Sequence, residues 1–399
     1  MVLVTHPNRQ HSHQLALALH SQELLTAYWT GVPARPITTK AWLRPIARVL
    51  EKHPLLPLPA ARVQHNIVSP AMRRIAQRLL PSGKAVTWVH RSMHWFDRWC
   101  ASRLDGVEAK AVVCYENAAL HTFRAAHMRG ITTILDAASF HHSWQDRYYD
   151  YPESDAAHEE ITAHKEAEIA EADYLLTVSD LARESYIEAG VPPRKVKSLN
   201  MGASINVFSN DSEFKMRGPF TFIFAGHARP LKGIDLLLDA SRQVVERDLK
   251  HKLVFAGGMD RKYMRRVKNY GHTQHLGHLT HKQLGKKFAS ADCLVLPSLF
   301  DSFGRVVIEA MASGLPTIVG SNVGARDCIV EGENGWIVES GNRKALLERM
   351  IWCIENREEL RSMRPKARSA AEEYSWASYR EKAAHLINAF LKDAGEEGS

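Results

Sequence analysis

The chain has 399 residues, of which 45% are hydrophobic and 24% charged; this is the composition of a folded protein of two domains and excludes a disordered chain. Its formal net charge is +8, and residues 1–110 carry the excess, with 15 Lys and Arg residues against 5 Asp and Glu residues. No apolar run approaches the ~18 residues of a membrane-spanning helix, and the 5 cysteines show neither the CxxC spacing of a zinc site nor the even count of a disulfide framework.

The basic first segment has many Trp and Leu residues among its cations. The sequence starts with an apolar run at 2–5 followed by polar residues, which predicts a strand and not a signal peptide, so we expect a cytoplasmic protein. An Arg-rich surface beside Trp and Leu suits contact with the anionic inner face of a cell membrane or with an anionic lipid-linked substrate. An equally good interpretation is that these cations form a solvated surface around an apolar core. A nucleic-acid partner is not predicted, because no binding module is recognised. The residues concerned are Trp42, Arg44, Arg48, Lys52, Leu55, Leu56, Leu58, Arg62, Arg73, Arg74, Arg78, Trp88, Arg91, Trp95, Phe96, Arg98 and Trp99.

Short apolar runs alternate with amphipathic stretches along the whole chain, which predicts βα units on parallel sheets. In the first half we expect strands at 2–5, 111–116, 132–137 and 172–179, helices at 11–24, 117–129 and 180–189, and a long functional loop with a helix start at 140–160. In the second half we expect strands at 220–226, 252–258, 291–298, 316–320 and 335–339, and helices at 233–246, 280–290, 305–313, 325–331, 342–354, 356–373 and 376–394.

The segment 192–219 is the predicted crossing between two doubly wound α/β domains that face each other across a cleft. Ligands of such domains bind at the carboxyl ends of the strands. We place the boundaries at 1–205 for the first domain, 206–375 for the second and 376–399 for a final helix and tail, which could pack back on the first domain.

The stretch "LFDSFGRVVIEAMASGLP", residues 299–316, puts two carboxylates at a predicted strand exit and in the helix that follows it. The loop Asp301–Gly304 lies between them, and its N–H groups together with the helix N-terminus would present a positive dipole end to a polar ligand. Glu309 falls inside an apolar helical run, where a carboxylate needs a partner. The paired hydroxyls of a ribose would supply one.

A second stretch, "FIFAGHARPLKGIDLLLDA" at 222–240, places His227, Arg229 and Lys232 between a strand and a helix. Cations at the carboxyl end of a strand, just before a helix N-terminus, are typical of a pyrophosphate site. Such cations also stabilise the charge that develops on a departing nucleoside diphosphate. Taken alone, this pattern would be an ordinary basic turn.

Together the two stretches resemble the family-4 retaining glycosyltransferases of the GT-B fold. The likeness extends over residues 170–399 and includes "NMGASINVF" (200–208) and the aromatic segment "YSWASY" (374–379), while "DAASFHHSWQ" (136–145) is similar to the family's histidine loop. By this resemblance the catalytic residues are His141, Asp301 and Lys232, and the donor-binding residues are Gly226, Arg229, Lys232, Ser302, Phe303, Gly304 and Glu309.

The resemblance implies transfer of a sugar from a nucleotide-diphosphate sugar to a glycan or lipid-linked acceptor, with retention, in cell-surface polysaccharide synthesis. It implies no cofactor, and the absence of an Asp-x-Asp motif predicts that protein cations replace a metal ion. Asp301, His227 and Ser204 stand where the family has Glu, Arg and Asp. These departures leave two alternatives open, a binding or scaffold protein without turnover and a sugar-nucleotide epimerase of the same fold.

Overall fold

The computed structural model describes residues 1–31, 57–148, 151–208 and 218–397, and two parallel β-sheets organise them. Of the residues predicted to meet a membrane, Trp42, Arg44, Arg48, Lys52, Leu55 and Leu56 lie outside the described residues. Within these ranges, no helix has both the length and the hydropathy that crossing a bilayer requires.

The first sheet has seven strands in the order β3-β2-β1-β4-β5-β6-β7, all parallel to their neighbours. Its central strands are buried on both faces and therefore consist of nearly continuous apolar runs. The strands are β1 (Val2–His6), β2 (Leu25–Thr30), β3 (Val63–His65), β4 (Ala111–Tyr115), β5 (Thr132–Ala137), β6 (Tyr174–Thr177) and β7 (Val196–Ser198). The helices of this half are α1 (Ser12–Ser21), α2 (Val68–Leu79), α3 (Ser82–Ala101), α4 (Leu120–His127), α5 (His142–Gln145), α6 (Asp155–Glu171) and α7 (Asp180–Glu188).

The second sheet has six parallel strands in the order β10-β9-β8-β11-β12-β13. These strands are β8 (Phe220–Ala225), β9 (His251–Ala256), β10 (Thr273–His275), β11 (Cys293–Leu296), β12 (Thr317–Gly320) and β13 (Gly335–Val338). The helices are α8 (Ile234–Val245), α9 (Arg261–Asn269), α10 (His281–Ser290), α11 (Arg305–Ala312), α12 (Arg343–Glu355), α13 (Arg357–Ser362), α14 (Arg364–Glu372) and α15 (Trp376–Glu397).

In both sheets the strand order reverses direction in the middle. In the second sheet this happens between β8 and β11, where Phe222 pairs with Cys293 and Ile223 with Leu294. A crevice opens outside the carboxyl ends of strands at such a reversal, and open α/β folds bind their ligands there. The topology therefore brings the loops after β8 and β11 together, as the sequence predicted.

The last helix returns to the first sheet. Tyr379, Ala383, Ile387 and Phe390 of α15 are buried in one apolar cluster with residues of α1, β1 and β2. A separate cluster fills the second half and also takes in Phe140 and other side chains of the first. The predicted return of the C-terminal helix to the first domain is confirmed.

Several elements differ from the sequence-based expectation. The hairpin of α2 and α3 and the pair α9 and β10 were not predicted, because α2 and α9 are rich in cations and the aromatic residues of α3 lie among polar and charged ones. The predicted loop at 140–160 contains α5 and the first turns of α6, and the predicted crossing at 192–219 contains β7. The predicted helix at 325–331 was wrong: a 3₁₀ turn, Gly324–Cys328, occupies its start.

Candidate active site

A cavity of about 550 Å³ lies at the reversal between β8 and β11, as expected for a ligand site. Six of its lining residues, 301–306, follow one another in the loop after β11 and the start of α11. Cationic or titratable nitrogen groups outnumber carboxylates on its wall. The polar and loop residues of the lining are Gly226, His227, Lys232, Gly257, His278, His281, Asp301, Ser302, Gly304, Arg305 and Glu309, and Phe303 and Met201 are among the apolar ones.

The two loops that form the cavity are fastened to each other by backbone contacts. The Leu299 N–H donates to the carbonyl oxygen of Leu231 at 2.9 Å. Gly233 has a φ of +67°, and a Cβ at this position would lie only 2.0 Å from the carbonyl oxygen of Pro297. Glycine is therefore required there, because any side chain would push the loop after β8 away from the loop after β11.

The loop Asp301–Gly304 is held from its other side by residues 322–325. The Asp301 N–H donates to the Asn322 carbonyl oxygen at 3.0 Å, and the Gly324 N–H donates to the Asp301 carbonyl oxygen at 3.0 Å. The Ala325 N–H donates to the carbonyl oxygen of Phe303. The 3₁₀ turn at 324–328 does not extend into the predicted helix at 325–331, because Asn334 takes up the backbone groups that would continue it: its Oδ1 accepts from the Val330 N–H at 2.9 Å and its Nδ2 donates to the Cys328 carbonyl oxygen at 3.1 Å.

Lys232 and Asp301 form an ion pair across the cavity wall, with side chains only 16% and 19% exposed. The structure thus brings together two of the residues predicted to be catalytic. Because the carboxylate of Asp301 holds the ammonium of Lys232 in place, the lysine is positioned before any ligand binds. The predicted binding of a diphosphate by Lys232 remains a prediction.

Glu309 lies one turn into α11 and lines the same cavity. Burial raises the pKa of its carboxyl group above the ordinary value, while the positive charges of Arg305 and His281 oppose that rise. The carboxylate makes no hydrogen bond or ion pair to another side chain in the described ranges. It is therefore available to accept hydrogen bonds from a ligand, as predicted for a ribose.

Two members of the predicted diphosphate loop lie at different distances from the cavity. His227 lines it, and its Nε2 is 2.8 Å from Oδ1 of Asp260. Arg229 is exposed and is not among the residues that line this cavity. Gly226, at the end of β8, is at the cavity wall with a φ of +138°, which favours glycine.

The structure does not place His141 in the cavity. It is the N-cap of α5 and is 3% exposed; its Nδ1 lies 2.7 Å from Oγ of Ser143 and its Nε2 lies 3.2 Å from Oε1 of Glu166. Burial, followed by the neighbouring His142, lowers the pKa of His141 to about 4, so its imidazole is neutral at neutral pH. Its predicted role toward the donor sugar remains a prediction.

Three basic side chains of the cavity were missed by the sequence analysis. Arg305 opens α11 directly after Gly304, and the reasoning applied to Lys232 could have found it, since it too is a cation at a strand exit before a helix. His278 and His281 follow β10, a strand that the sequence did not reveal. Of the three, Arg305 adds a permanent positive charge to the site.

The first half of the chain closes over the loop after β11 through aromatic contacts. Phe140 packs edge-to-face on Phe300 with ring centroids 4.9 Å apart. The amide Nδ2 of Asn322 donates to the hydroxyl of Tyr148 at 3.1 Å. The loop 138–148 of the first half is therefore in direct contact with the segments that shape the cavity.

Comparison with known proteins identifies the second half. Residues 208–370 match the family model of glycosyl transferases group 1. This group 1 segment includes every cavity-lining residue named above except Met201.

Curated relatives support the same family for part of the chain. It is 28% identical over 162 residues to the uncharacterized glycosyltransferase MJ1178 of Methanocaldococcus jannaschii, covering 40% of this chain and 45% of the relative. It is 29% identical over 189 residues to the phosphatidyl-myo-inositol mannosyltransferase of Mycobacterium leprae, covering 45% of this chain and 50% of the relative. The chain thus spans about half the length of these relatives.

A solved structure resembles nearly the whole chain. Anabaena Alr3699/HepE in complex with UDP superposes with a TM-score of 0.67 at 14% identity, over 97% of this chain and 99% of that chain. With the two parallel sheets, this likeness confirms the predicted α/β fold of the GT-B type.

Proposed function

We propose that the protein is a retaining glycosyltransferase of family 4 that moves a sugar from a nucleotide-diphosphate sugar to an acceptor. The observation that carries this proposal is the cavity where Lys232, Arg305 and Glu309 converge, within the segment that matches glycosyl transferases group 1. The cations suit a diphosphate, and the half-buried carboxylate of Glu309 suits a ribose.

The chemistry follows from the charges on the cavity wall. The bond between the anomeric carbon and the phosphate oxygen breaks with its electron pair on the phosphate, and Lys232 with the N-terminus of α11 stabilises that charge. The acceptor oxygen bonds to the anomeric carbon on the same face, and its proton passes to the leaving phosphate. The side chain of Asp301 and the backbone of Ser302, Phe303 and Gly304 would hold the sugar hydroxyls, with His141 reaching them only if its loop rearranges.

The donor and acceptor are proposed by class. UDP sugars are the first donors to examine, because the complexes of Anabaena Alr3699/HepE contain UDP and UDP-glucose. A glycan or lipid-linked saccharide of cell-surface polysaccharide synthesis is the proposed acceptor; relatives include a putative colanic acid biosynthesis glycosyltransferase of Salmonella typhimurium. The proposed location is the cytoplasm, with contact to the inner face of the membrane.

The proposal is tested by incubating the protein with UDP-, GDP- and ADP-sugars and following release of the nucleoside diphosphate. Slow hydrolysis of one donor, with retention in any transferred product, is expected. Thermal stabilisation by a nucleotide without release of diphosphate would indicate a binding protein. A changed sugar in the absence of acceptor, detected by NMR, would indicate an epimerase. No stabilisation and no hydrolysis with any donor would contradict all three.

The reaction is expected to need no added metal, because the protein's own cations surround the diphosphate site. EDTA should leave the initial rate of donor hydrolysis unchanged, and adding Mg²⁺ or Mn²⁺ should not raise it. A rate that collapses in EDTA and returns with Mg²⁺ or Mn²⁺ would show that a metal ion carries the diphosphate charge, against this expectation.

The α2–α3 hairpin supports the proposed membrane contact. Its exposed apolar side chains include Ile75 at 58%, Leu79 at 73% and Trp95 at 49% exposure, and Arg74 and Arg78 are exposed beside them. Basic side chains are worth about 1 kcal/mol each at an anionic bilayer, and insertion of apolar side chains adds to this.

We expect binding to phosphatidylglycerol-containing vesicles that weakens as salt rises and that falls at least tenfold in the double variant Ile75→Ser/Leu79→Ser. The matched control is Val330→Ser, which removes a side chain of 52% exposure from the other half of the chain and should have no effect. Equal binding to neutral phosphatidylcholine vesicles would remove the electrostatic part of the proposal.

A further inference from the structure

One segment of the second half, residues 261–291, contains eight Lys and Arg residues and no Asp or Glu. It forms α9, β10 and α10. Seven of its eight cations are exposed and are called the basic rim here: Arg261, Lys262, Arg265, Lys268, Lys282, Lys286 and Lys287. We propose that the basic rim attracts the anionic nucleotide-sugar donor toward the cavity. This role rests on the proposed function, because it presupposes an anionic donor.

The basic rim begins at the edge of the cavity. Helices α9 and α10 follow β9 and β10, which are neighbouring parallel strands. Both helices therefore begin at the edge of the sheet where the cavity opens. His281 and Leu284, in the first turn of α10, line the cavity. Lys282 lies between them in the chain and is exposed, so it stands beside the cavity wall without being part of it.

The start of α9 is fastened to the other wall of the cavity. The Asp260 N–H, directly before α9, donates to the carbonyl oxygen of Ala228 at 3.0 Å, in the loop after β8. The carboxylate of Asp260 is paired with His227, which lines the cavity. Arg261 and Lys262 follow at once as the first two residues of α9. Their positive charges are thus placed beside the loop that was predicted to bind the diphosphate.

Neighbouring carboxylates do not cancel the charge of the basic rim. Among the described residues, Arg266 is the one cation of this segment that forms ion pairs, and its partners are Asp235 and Asp239 of α8. Arg266 is half-buried against α8, whereas the seven rim cations face solvent. Unpaired charges of one sign produce a potential that reaches about 8–10 Å into solution at moderate salt. An anion that approaches this end of the sheet is therefore attracted before it makes any contact.

The rim acts on the approach of the donor and not on the bound donor. None of the seven rim residues lines the cavity, whereas Lys232 and Arg305 do. A nucleotide-diphosphate sugar carries a negative charge on each of its two phosphates. Cations around a cleft raise the association rate of such an anion by about 10–10³-fold. The expected signature is therefore a change in the association rate constant with no change in the dissociation rate constant.

The composition of this surface favours a small anion over a bilayer. In segment 261–291 the single large apolar side chain that is exposed is Met264, at 39%. The α2–α3 hairpin, by contrast, exposes Ile75, Leu79 and Trp95 beside its cations. Stable binding to a membrane surface needs apolar side chains that insert as well as charge. The basic rim supplies the charge and little apolar surface.

The association rate of a nucleotide tests the role of the rim. UDP, GDP and ADP carry a fluorophore on the base, which leaves ribose and diphosphate unchanged, and are mixed with the full-length protein in a stopped-flow instrument. In the triple variant Arg261→Gln/Lys262→Gln/Lys282→Gln, the association rate constant should fall about 3–10-fold at low salt. The dissociation rate constant should be unchanged. The difference should vanish at about 1 M salt, where the Debye length is about 3 Å.

The matched control is Arg247→Gln/Lys250→Gln/Lys252→Gln. It removes the same number of exposed cations beside the start of β9, at the opposite end of the strands, and should keep the wild-type association rate. Equal rates in the wild type and the rim variant, with Glu309→Gln still weakening binding, would overturn the role of the rim and leave the proposed function intact. An equal fall in both triple variants would also overturn it, since net charge alone would then suffice. Binding of none of the three nucleotides to the wild type would overturn both proposals.

Discussion

Replacing Lys232 with methionine should lower kcat for donor hydrolysis by about 10²–10³-fold, because the departing diphosphate loses its best-placed cation. The lysine is held beside the cavity by its ion pair with Asp301 and is largely buried. The effect should fall on kcat more than on KM, since the negative charge on the phosphate grows as the bond to the sugar breaks. Steady-state kinetics with saturating donor measure this split.

The loss must be separated from a loss of folding, because Lys232→Met leaves the carboxylate of Asp301 unpaired. The double variant Lys232→Met/Asp301→Asn removes both charges and should regain thermal stability without regaining activity. Lys366→Met is the matched control, since it breaks an exposed pair with Glu333 in the same half of the chain and should leave kcat unchanged. A Lys232→Met protein with nearly normal kcat would refute the assigned role.

Glu309→Gln should weaken nucleotide binding by about 10–100-fold, because a neutral amide replaces the charged acceptor of the ribose hydroxyls. Isothermal titration with the nucleoside diphosphate measures this loss. Glu348→Gln is a suitable control, since this exposed carboxylate lies on α12 outside the cavity lining. Unchanged affinity in Glu309→Gln would place the nucleotide elsewhere.

The same substitution should make the empty protein more stable at neutral pH. Burial raises the pKa of Glu309, so the folded chain binds this proton more tightly than the unfolded chain does. By linkage, its contribution to stability is greatest at low pH and declines as the pH rises above the ordinary Glu value. A neutral Gln avoids that decline, and Tm at pH 7.5 should rise by roughly 1–3 °C, a difference that should shrink toward pH 4. A lower Tm at both pH values would contradict this account.

The second half of the fold could be predicted well because its signals are local. Strands such as Phe220–Ala225 and Thr317–Gly320 consist mostly of apolar residues, and the glycines at 226, 233 and 304 mark the turns between strand and helix. The loops after β8 and β11 were placed together because parallel strands end at one edge of a sheet. The proximity of these two loops therefore follows from the strand pattern alone, without any knowledge of contacts between distant residues.

What could not be predicted depends on contacts between distant segments. The N–H groups of Gly324 and Ala325, at the start of the 3₁₀ turn Gly324–Cys328, bond to the loop at 301–303, and no local pattern reveals this contact. The inward orientation of His141 depends on Glu166 and Ser185, which lie 25 and 44 positions further along the chain. Arg305 was overlooked although its position carried the same signal as Lys232.

The placement of α15 has a consequence for the order in which the protein can form during synthesis. Its buried residues Tyr379, Ala383, Ile387 and Phe390 complete an apolar cluster that begins with Val2 and Val4. A ribosome releases the whole second sheet before it releases these side chains. The half that is translated first is therefore finished last, and nascent chains that stop short of residue 376 would expose the apolar faces of α1 and β1 to chaperones.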